Sequence, residues 1–288
     1  MIRKTAIWFS IIFIAVITII LILLHSVSGY LRGNDKTLET TFKESNYHYS
    51  LHHDTLLGHD IRWFSTGDST MSKTILFFHG APGSWQDFSE YLVDSYLQDN
   101  VQMIVMDRPG YGYSDYGKAQ TSISIQADIA HEIVKSTKVD SLILVGYSYG
   151  GPVAGAYAGK YTERVSSVLL LAPVVAPLDE KIFWFNYVID FPLLHWIFPR
   201  YIQVANEEKL SHSKALHDIS HEWTNITAPV IHLHCTDDWI APYTPNTQWT
   251  QDNINGQIDI VHWTGDSHFL PNNIYKRVLP ILKSLVAK

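Results

Sequence analysis

Residues Ala6 to Leu24 form an uncharged apolar run of nineteen residues, unlike anything later in the chain. As a helix rising 1.5 Å per residue, it would span roughly the ~30 Å hydrocarbon core of a bilayer. From Tyr30 to Asn46 the chain turns polar and patternless, which suits a tether. "YHYSLHHDTLLGHDIRWFSTGD" alternates loosely and predicts two antiparallel strands around a turn at Gly58. A rhythm of short apolar runs and helical stretches follows. "TILFFHG" predicts a buried strand, and a helix follows from about Trp85 to Leu97. "QMIVMD" is a second buried strand, and "SISIQADIAHEIVKST" carries helical spacing through Ile125, Ile129 and Ile133. "SLILVG" predicts a strand, "YGGPVAGAYAGKY" a helix of small residues, and "SSVLLLAPVV" another strand. "PVIHLHC" and "QIDIVHW" supply two late strands before a closing helix, "IYKRVLPILKSLV". Strands alternating with helices predict an α/β fold with a doubly wound, mostly parallel sheet.

One stretch breaks that rhythm. Between Val175 and about Thr227 no strand is expected, but "KIFWFNYVIDFPLLHWIFPRY" is rich in aromatics. Asn186, Asp190 and two prolines count against a second membrane span. A helical lid inserted between two sheet strands is the expectation for residues 176–227.

Composition narrows the classes. The 288 residues, 46% hydrophobic and 17% charged, suffice for one large core plus an insertion. A net charge of -7 with no basic cluster argues against a nucleic-acid partner. A single cysteine, Cys235, excludes an internal disulfide framework and a cysteine zinc site. Arg3 and Lys4 precede the apolar run and favour a cytoplasmic N-terminus, with the rest on the non-cytoplasmic side. The run exceeds the ~7–15 apolar residues of a cleaved signal peptide, which favours a retained single-pass anchor. "SVSG", Ser26 to Gly29, leaves cleavage and a secreted or periplasmic product as the alternative.

"LVGYSYGGP" holds the leading candidate chemistry. A serine hydroxyl is a weak nucleophile and needs a base within hydrogen-bond reach, itself held by a carboxylate. G-x-S-x-G between a strand and a helix forms a sharp turn that lifts the serine above the sheet edge. Ser148 has both flanks. In folds built on that turn the acid and then the histidine follow the serine, and "TDDWIAP" and "WTGDSHFL" offer them in that order.

Taken together, "HGAPGSW", "DRPGYGYSD", "GYSYGG" and those two stretches resemble the α/β-hydrolase superfamily, from about residue 47 to the end with the insertion left out. The resemblance implies Ser148 as nucleophile, His268 as general base and Asp238 as acid, because "DWIAP" fits the family's D-x-x-x-P run. Asp237 is the runner-up and Asp179 a distant third. Cys235 stands where relatives commonly have glycine. The implied oxyanion donors are the backbone N–H groups of Ala81 and Tyr149; Pro82 has none to give. His79 resembles a structural histidine, and "DRPGYGYSD" a loop that braces the site. Serine rather than aspartate at the nucleophile disfavours epoxide and halide chemistry. The implied reaction is cleavage of an ester of an apolar small molecule or lipid, with no cofactor and no metal. "HGAPG" is similar to the "HGGPG" of proline iminopeptidases, but the tryptophan usual after their serine is missing. A C–C bond hydrolase is a further alternative. From another class, the competitor is an inactive relative binding an acyl ligand or partner protein.

His52, His53 and His59 lack carboxylates at metal-ligand spacing, and His232 and His234 read as core residues. Among the insertion's aromatics Phe183, Trp184, Phe185, Trp196 and Phe198, Trp184 and Trp196 are the candidates for substrate contact. The same side chains suit core packing or a membrane surface. The expected organisation is therefore a cytoplasmic N-terminus (1–5), an anchor or signal (6–25), a tether (26–46) and an α/β-hydrolase domain (47–288).

Overall fold

The computed structural model describes residues 2–288 except Lys138, Glu180, Asp266, Ser267, Phe269 and Leu270, with side chains from residue 7 onward. Its framework is one eight-stranded sheet of order β1-β2-β4-β3-β5-β6-β7-β8. The strands are β1 (Tyr49–Leu56), β2 (His59–Gly67), β3 (Lys73–Phe78), β4 (Gln102–Met106), β5 (Ser141–Tyr147), β6 (Val165–Leu171), β7 (Val230–Cys235) and β8 (Ile258–Trp263). β1 and β2 form a hairpin, β2 runs antiparallel to β4, and every pairing from β4 through β8 is parallel. The parallel strands read as continuous apolar runs because both their faces are covered. Leu76, Phe78, Ile104 and Leu144 point into one core, while Ile75, Phe77, Val105 and Val145 point into the other.

The first core is closed by α6 (Ile123–Ser136) and α7 (Gly150–Lys160). The second is closed by α3 (Asp35–Ser45), by the short turns α4 (Ser89–Leu92) and α5 (Ser95–Asn100), and by the last helix, α12 (Tyr275–Ala287). Between β6 and β7 lie α8 (Trp184–Asp190), α9 (Arg200–Asp218) and α10 (Ser220–Trp223); α11 (Tyr243–Asn253) joins β7 to β8. Small residues let α7 approach closely: a Cβ on Gly155 would collide with the Trp223 ring of α10.

Two expectations need correction. The polar stretch before Asn46 is no slack tether but folds as α2 (Ser28–Leu31) and α3. Asn34 caps α3 by accepting the Thr37 N–H at 2.9 Å. Leu38 and Phe42, one turn apart on one face, are fully buried beside Phe64. Burial of two such side chains stabilises by roughly 1.5–3 kcal/mol each, enough to dock a helix that is otherwise polar. Arg62, itself buried, fixes the entry by donating to Asp35 (2.6 Å) and to the Gly33 carbonyl (2.7 Å). The second correction concerns the helix expected over Trp85–Leu97. It is a 3-10 turn (Trp85–Phe88) followed by α4 and α5, broken where Asp94 caps α5 through the Leu97 N–H.

The N-terminal apolar run is the helix α1 (Ile2–Ser26). Among the described residues it belongs to the one segment long and apolar enough to cross a membrane. From residue 7 its side chains are largely exposed and join neither core.

Candidate active site

Ser148 occupies the sharp turn between β5 and α7, with φ +50°. A non-glycine residue in the left-handed region is strained and persists where its surroundings hold it there. Glycines on either side make room for the turn. A Cβ on Gly150 would collide with the Phe78 carbonyl, and one on Gly146 would press on the carbonyl of Gly150. The Ser148 N–H donates to Leu171 O at 2.9 Å, tying the turn to β6.

Two later loops bring the partners. His268 Nε2 lies 3.0 Å from Ser148 Oγ, and its Nδ1 lies 2.7 Å from Asp238 Oδ2. An ionised carboxylate only accepts, so Nδ1 carries a hydrogen, and in that tautomer Nε2 faces Ser148 Oγ as the acceptor of its proton. The Tyr147 ring packs against the imidazole at 5.5 Å. Asp238 follows β7, and its other oxygen accepts the N–H groups of Ile240 (2.9 Å) and Ala241 (2.8 Å). Burial alone would raise its pKa; hydrogen bonds from His234, His268 and the Ala241 N–H outweigh that and hold the carboxyl well below its ordinary range. Asp237 instead accepts the Gly265 N–H at 2.8 Å, and neither it nor Asp179 is bonded to His268 among the described residues. Of "WTGDSHFL", residues 266, 267, 269 and 270 lie outside the described residues.

Behind Asp238 sits a pair of buried histidines whose bonding sequence reading did not anticipate. His234 Nε2 is 2.7 Å from Ala241 O and 3.5 Å from Asp238 Oδ2, while His234 Nδ1 is 2.9 Å from His232 Nε2. The carbonyl accepts, so His234 holds its hydrogen on Nε2 and receives one from His232. Burial, then the neighbouring His234, push the His232 pKa well below the ordinary histidine value. Both stay in the core, as their alternation along β7 suggested.

His79 is buried and bridges the two loops that follow β3 and β4. Its Nε2 accepts the Arg108 N–H (2.9 Å), and Nδ1 donates to Gly80 O (2.8 Å). Burial and the adjacent Arg108 lower its pKa well below the usual value, so the ring is a neutral brace. Arg108 continues the bracing, donating to His79 O and Gly80 O at 2.9 Å each. Its charge is met by Glu208 of α9, at 2.6 and 3.2 Å, and that carboxylate also accepts the Tyr111 hydroxyl at 2.7 Å. Arg108 and Glu208 are both fully buried. One ion pair thus ties the loop carrying Ala81 to the inserted helix α9. Glu208 was missed from sequence, since an acidic residue in a polar helix carries no sign of burial.

Ala81, Ser148 and Tyr149 meet in the wall of a cavity of about 300 Å³, with Tyr149 at the N-terminus of α7. Phe183, Phe185 and Ile189 from the α8 region, Ile202 from α9, and Trp239 and Ile240 beside the acid supply its large apolar side chains. Trp184 and Trp196 do not line it, which corrects the expected substrate contacts: they are 77% and 75% exposed. On a helix a single position is a turn of about 100°, so Phe185, Asn186 and Ile189 face inward while Trp184 and Tyr187 face out. Among the described residues no cluster could hold a metal ion. Of the hairpin histidines, His59 bonds Asp115 at 2.7 Å and His52 stacks on Trp63.

A serine raised on the turn after a parallel strand, facing a histidine and a carboxylate from later loops, is the arrangement of the α/β hydrolases. A family model described as "alpha/beta hydrolase fold" matches residues 73–213. The crystal structure of a bacterial membrane phospholipase A superposes with a TM-score of 0.64 at 17% identity, covering 96% of this chain and 98% of that one. The chain has the α/β-hydrolase fold, and residues 73–213 carry that family's sequence pattern. Among curated relatives, a "Dihydrolipoyllysine-residue acetyltransferase component of acetoin cleaving system" from Cupriavidus necator is 33% identical over 36% of this chain and 27% of its own length. A "Probable lysophospholipase BODYGUARD 4" from Arabidopsis thaliana is 30% identical over 37% of this chain and 26% of its own length. The chain thus spans about a quarter of those two relatives.

Proposed function

We propose that the protein is a membrane-tethered serine hydrolase that cleaves an apolar carboxylic ester through an acyl-enzyme. The observation that carries this reading is the continuous hydrogen-bonded path from Ser148 Oγ through His268 to Asp238, opening on an apolar cavity. His268 Nε2 takes the Ser148 proton as Oγ adds to the ester carbonyl carbon, giving a tetrahedral oxyanion. The backbone N–H groups of Ala81 and Tyr149 stabilise that charge, helped at Tyr149 by the α7 dipole. The tetrahedral species expels the alcohol, which takes the proton from His268. Water, deprotonated by His268, then attacks the acyl-enzyme; the carboxylic acid leaves and Ser148 regains its proton. Asp238 orients the imidazole and stabilises its cationic form, and its depressed pKa keeps it ionised throughout.

The cavity supports an acyl chain over a cationic substrate. No carboxylate lines it among the described residues, so the ammonium of a peptide N-terminus would lack a counter-charge. That disfavours the aminopeptidase alternative. The names of the phospholipase and lysophospholipase relatives support a lipid-like ester. The exposed apolar helix α1 supports a single-pass anchor, with Arg3 and Lys4 favouring the non-cytoplasmic side for the domain. The test is hydrolysis of p-nitrophenyl esters by the full chain in detergent. Ser148→Ala and His268→Ala are each expected to abolish turnover while the fold survives. Turnover retained by Ser148→Ala would refute the assignment.

A further inference from the structure

The helices that cover the cavity have a second face, and it is not built for water. Leu178, Trp184, Tyr187, Leu193 and Trp196 all stand exposed on the segment between β6 and α9. The segment is held firmly. The Asn186 amide donates to Asn206 Oδ1 (2.8 Å) and the Asn206 amide donates back to Asn186 O (3.1 Å), locking α8 to α9. Soluble monomers seldom display so many large apolar side chains on one short segment without a partner.

Its position relative to α1 says what that partner is. The Tyr201 hydroxyl of α9 donates to the Leu24 carbonyl at 2.9 Å, satisfying one of the carbonyls that end α1. Trp196 and His25 line one cleft with Pro199. From Ile7 to Leu24 the helix rises about 27 Å, close to the thickness of the hydrocarbon core, so Leu24 lies near its edge. Trp196 is therefore carried at the level where a spanning helix leaves the lipid. Tryptophan and tyrosine favour that interfacial layer.

We propose that the outer face of this insertion, centred on Trp184, Leu193 and Trp196, rests in the interface of the same membrane that α1 spans, so that the cavity before Ser148 takes its acyl chain from the bilayer. The proposal rests on the hydrolase reading above for its substrate, but not for the contact itself. α8 serves both sides: Phe185 and Ile189 face the cavity while Trp184 and Tyr187 face the lipid. Trp239 and Ile240, partly exposed and lining the cavity, mark its mouth.

The contact is tested with the full chain in phosphatidylcholine vesicles, comparing tryptophan quenching by dibrominated phosphatidylcholine and by iodide. The Trp184→Phe/Trp196→Phe variant is expected to lose bromolipid quenching relative to wild type and to change little towards iodide. The reverse pattern would place both side chains in water and overturn the proposal. Loss in neither channel would mean that protein, such as a second copy of the chain, covers the face, and would overturn it too. The functional arm uses Trp184→Ser/Leu193→Ser/Trp196→Ser. Hydrolysis of water-soluble p-nitrophenyl acetate should be unchanged, while release of fatty acid from vesicle phosphatidylcholine falls about ten-fold as interfacial burial of three apolar groups is lost. Equal losses on both substrates would assign these residues to the fold and overturn the proposal. If wild type hydrolyses neither substrate, the hydrolase reading fails, and the quenching alone decides the membrane contact.

Discussion

Replacing Glu208 by Gln keeps the shape of the side chain and removes the charge that neutralises Arg108. Both groups are fully buried, and the carboxylate receives two guanidinium bonds and the Tyr111 hydroxyl. Breaking one side of such a pair leaves an uncompensated buried cation and costs about 3–5 kcal/mol. For a domain of this size that corresponds to roughly 6–20 °C in melting temperature. The damage should also reach the site. Arg108 grips the carbonyls of His79 and Gly80, immediately before Ala81, so a displaced guanidinium loosens the loop assigned to the oxyanion. Urea unfolding in mild detergent, followed by tryptophan fluorescence, measures the first effect, and kcat on a short ester the second. Arg108→Met/Glu208→Leu removes both charges. It should recover much of the stability, because apolar replacement of a buried pair is often near neutral, but not the activity. A Glu208→Gln cost below about 1 kcal/mol, or a double variant whose losses simply add, would refute the reasoning.

Other consequences are as direct. Phe42→Ala should destabilise the domain by about 3–5 kcal/mol, seen as a lower urea midpoint, because the ring is buried against Phe64. Ala205→Phe fills part of the cavity and should cut turnover of long-chain esters far more than of acetate, read from kcat/KM across a chain-length series. The Asp238 pKa is lowered on folding, so its contribution to stability is full above about pH 4 and is lost as pH falls below that. The stability gap between wild type and Asp238→Asn should therefore be widest near neutrality and close in acid, as measured by urea unfolding at several pH values.

What the sequence disclosed followed the physics of burial. β3 to β6 announce themselves because both faces are covered and the runs are unbroken. Ser148, with its strand before and helix after, was equally plain, and so was the order of the later acid and histidine. The D-x-x-x-P run already favoured Asp238 over Asp237, and the two adjacent carboxylates do turn to different partners, His268 and the Gly265 N–H. α3 was hidden because only Leu38 and Phe42 mark its buried face in an otherwise polar window. The insertion misled for the opposite reason. With aromatics at Phe183, Trp184, Phe185 and Tyr187 there is no polar side to show which ring turns inward, and the cavity took Phe183 and Phe185. Arg108 and Glu208 are a hundred residues apart, and no local pattern marks a buried ion pair.

The central claim is that Ser148 is the nucleophile, and covalent capture tests it most directly. The full chain in detergent is treated with a fluorophosphonate, its intact mass is measured, and the adduct is mapped by peptide fragmentation. The account predicts one adduct per chain, on Ser148, absent from Ser148→Ala and strongly slowed in His268→Ala. No adduct on folded wild-type protein, or an adduct on another serine, would contradict it.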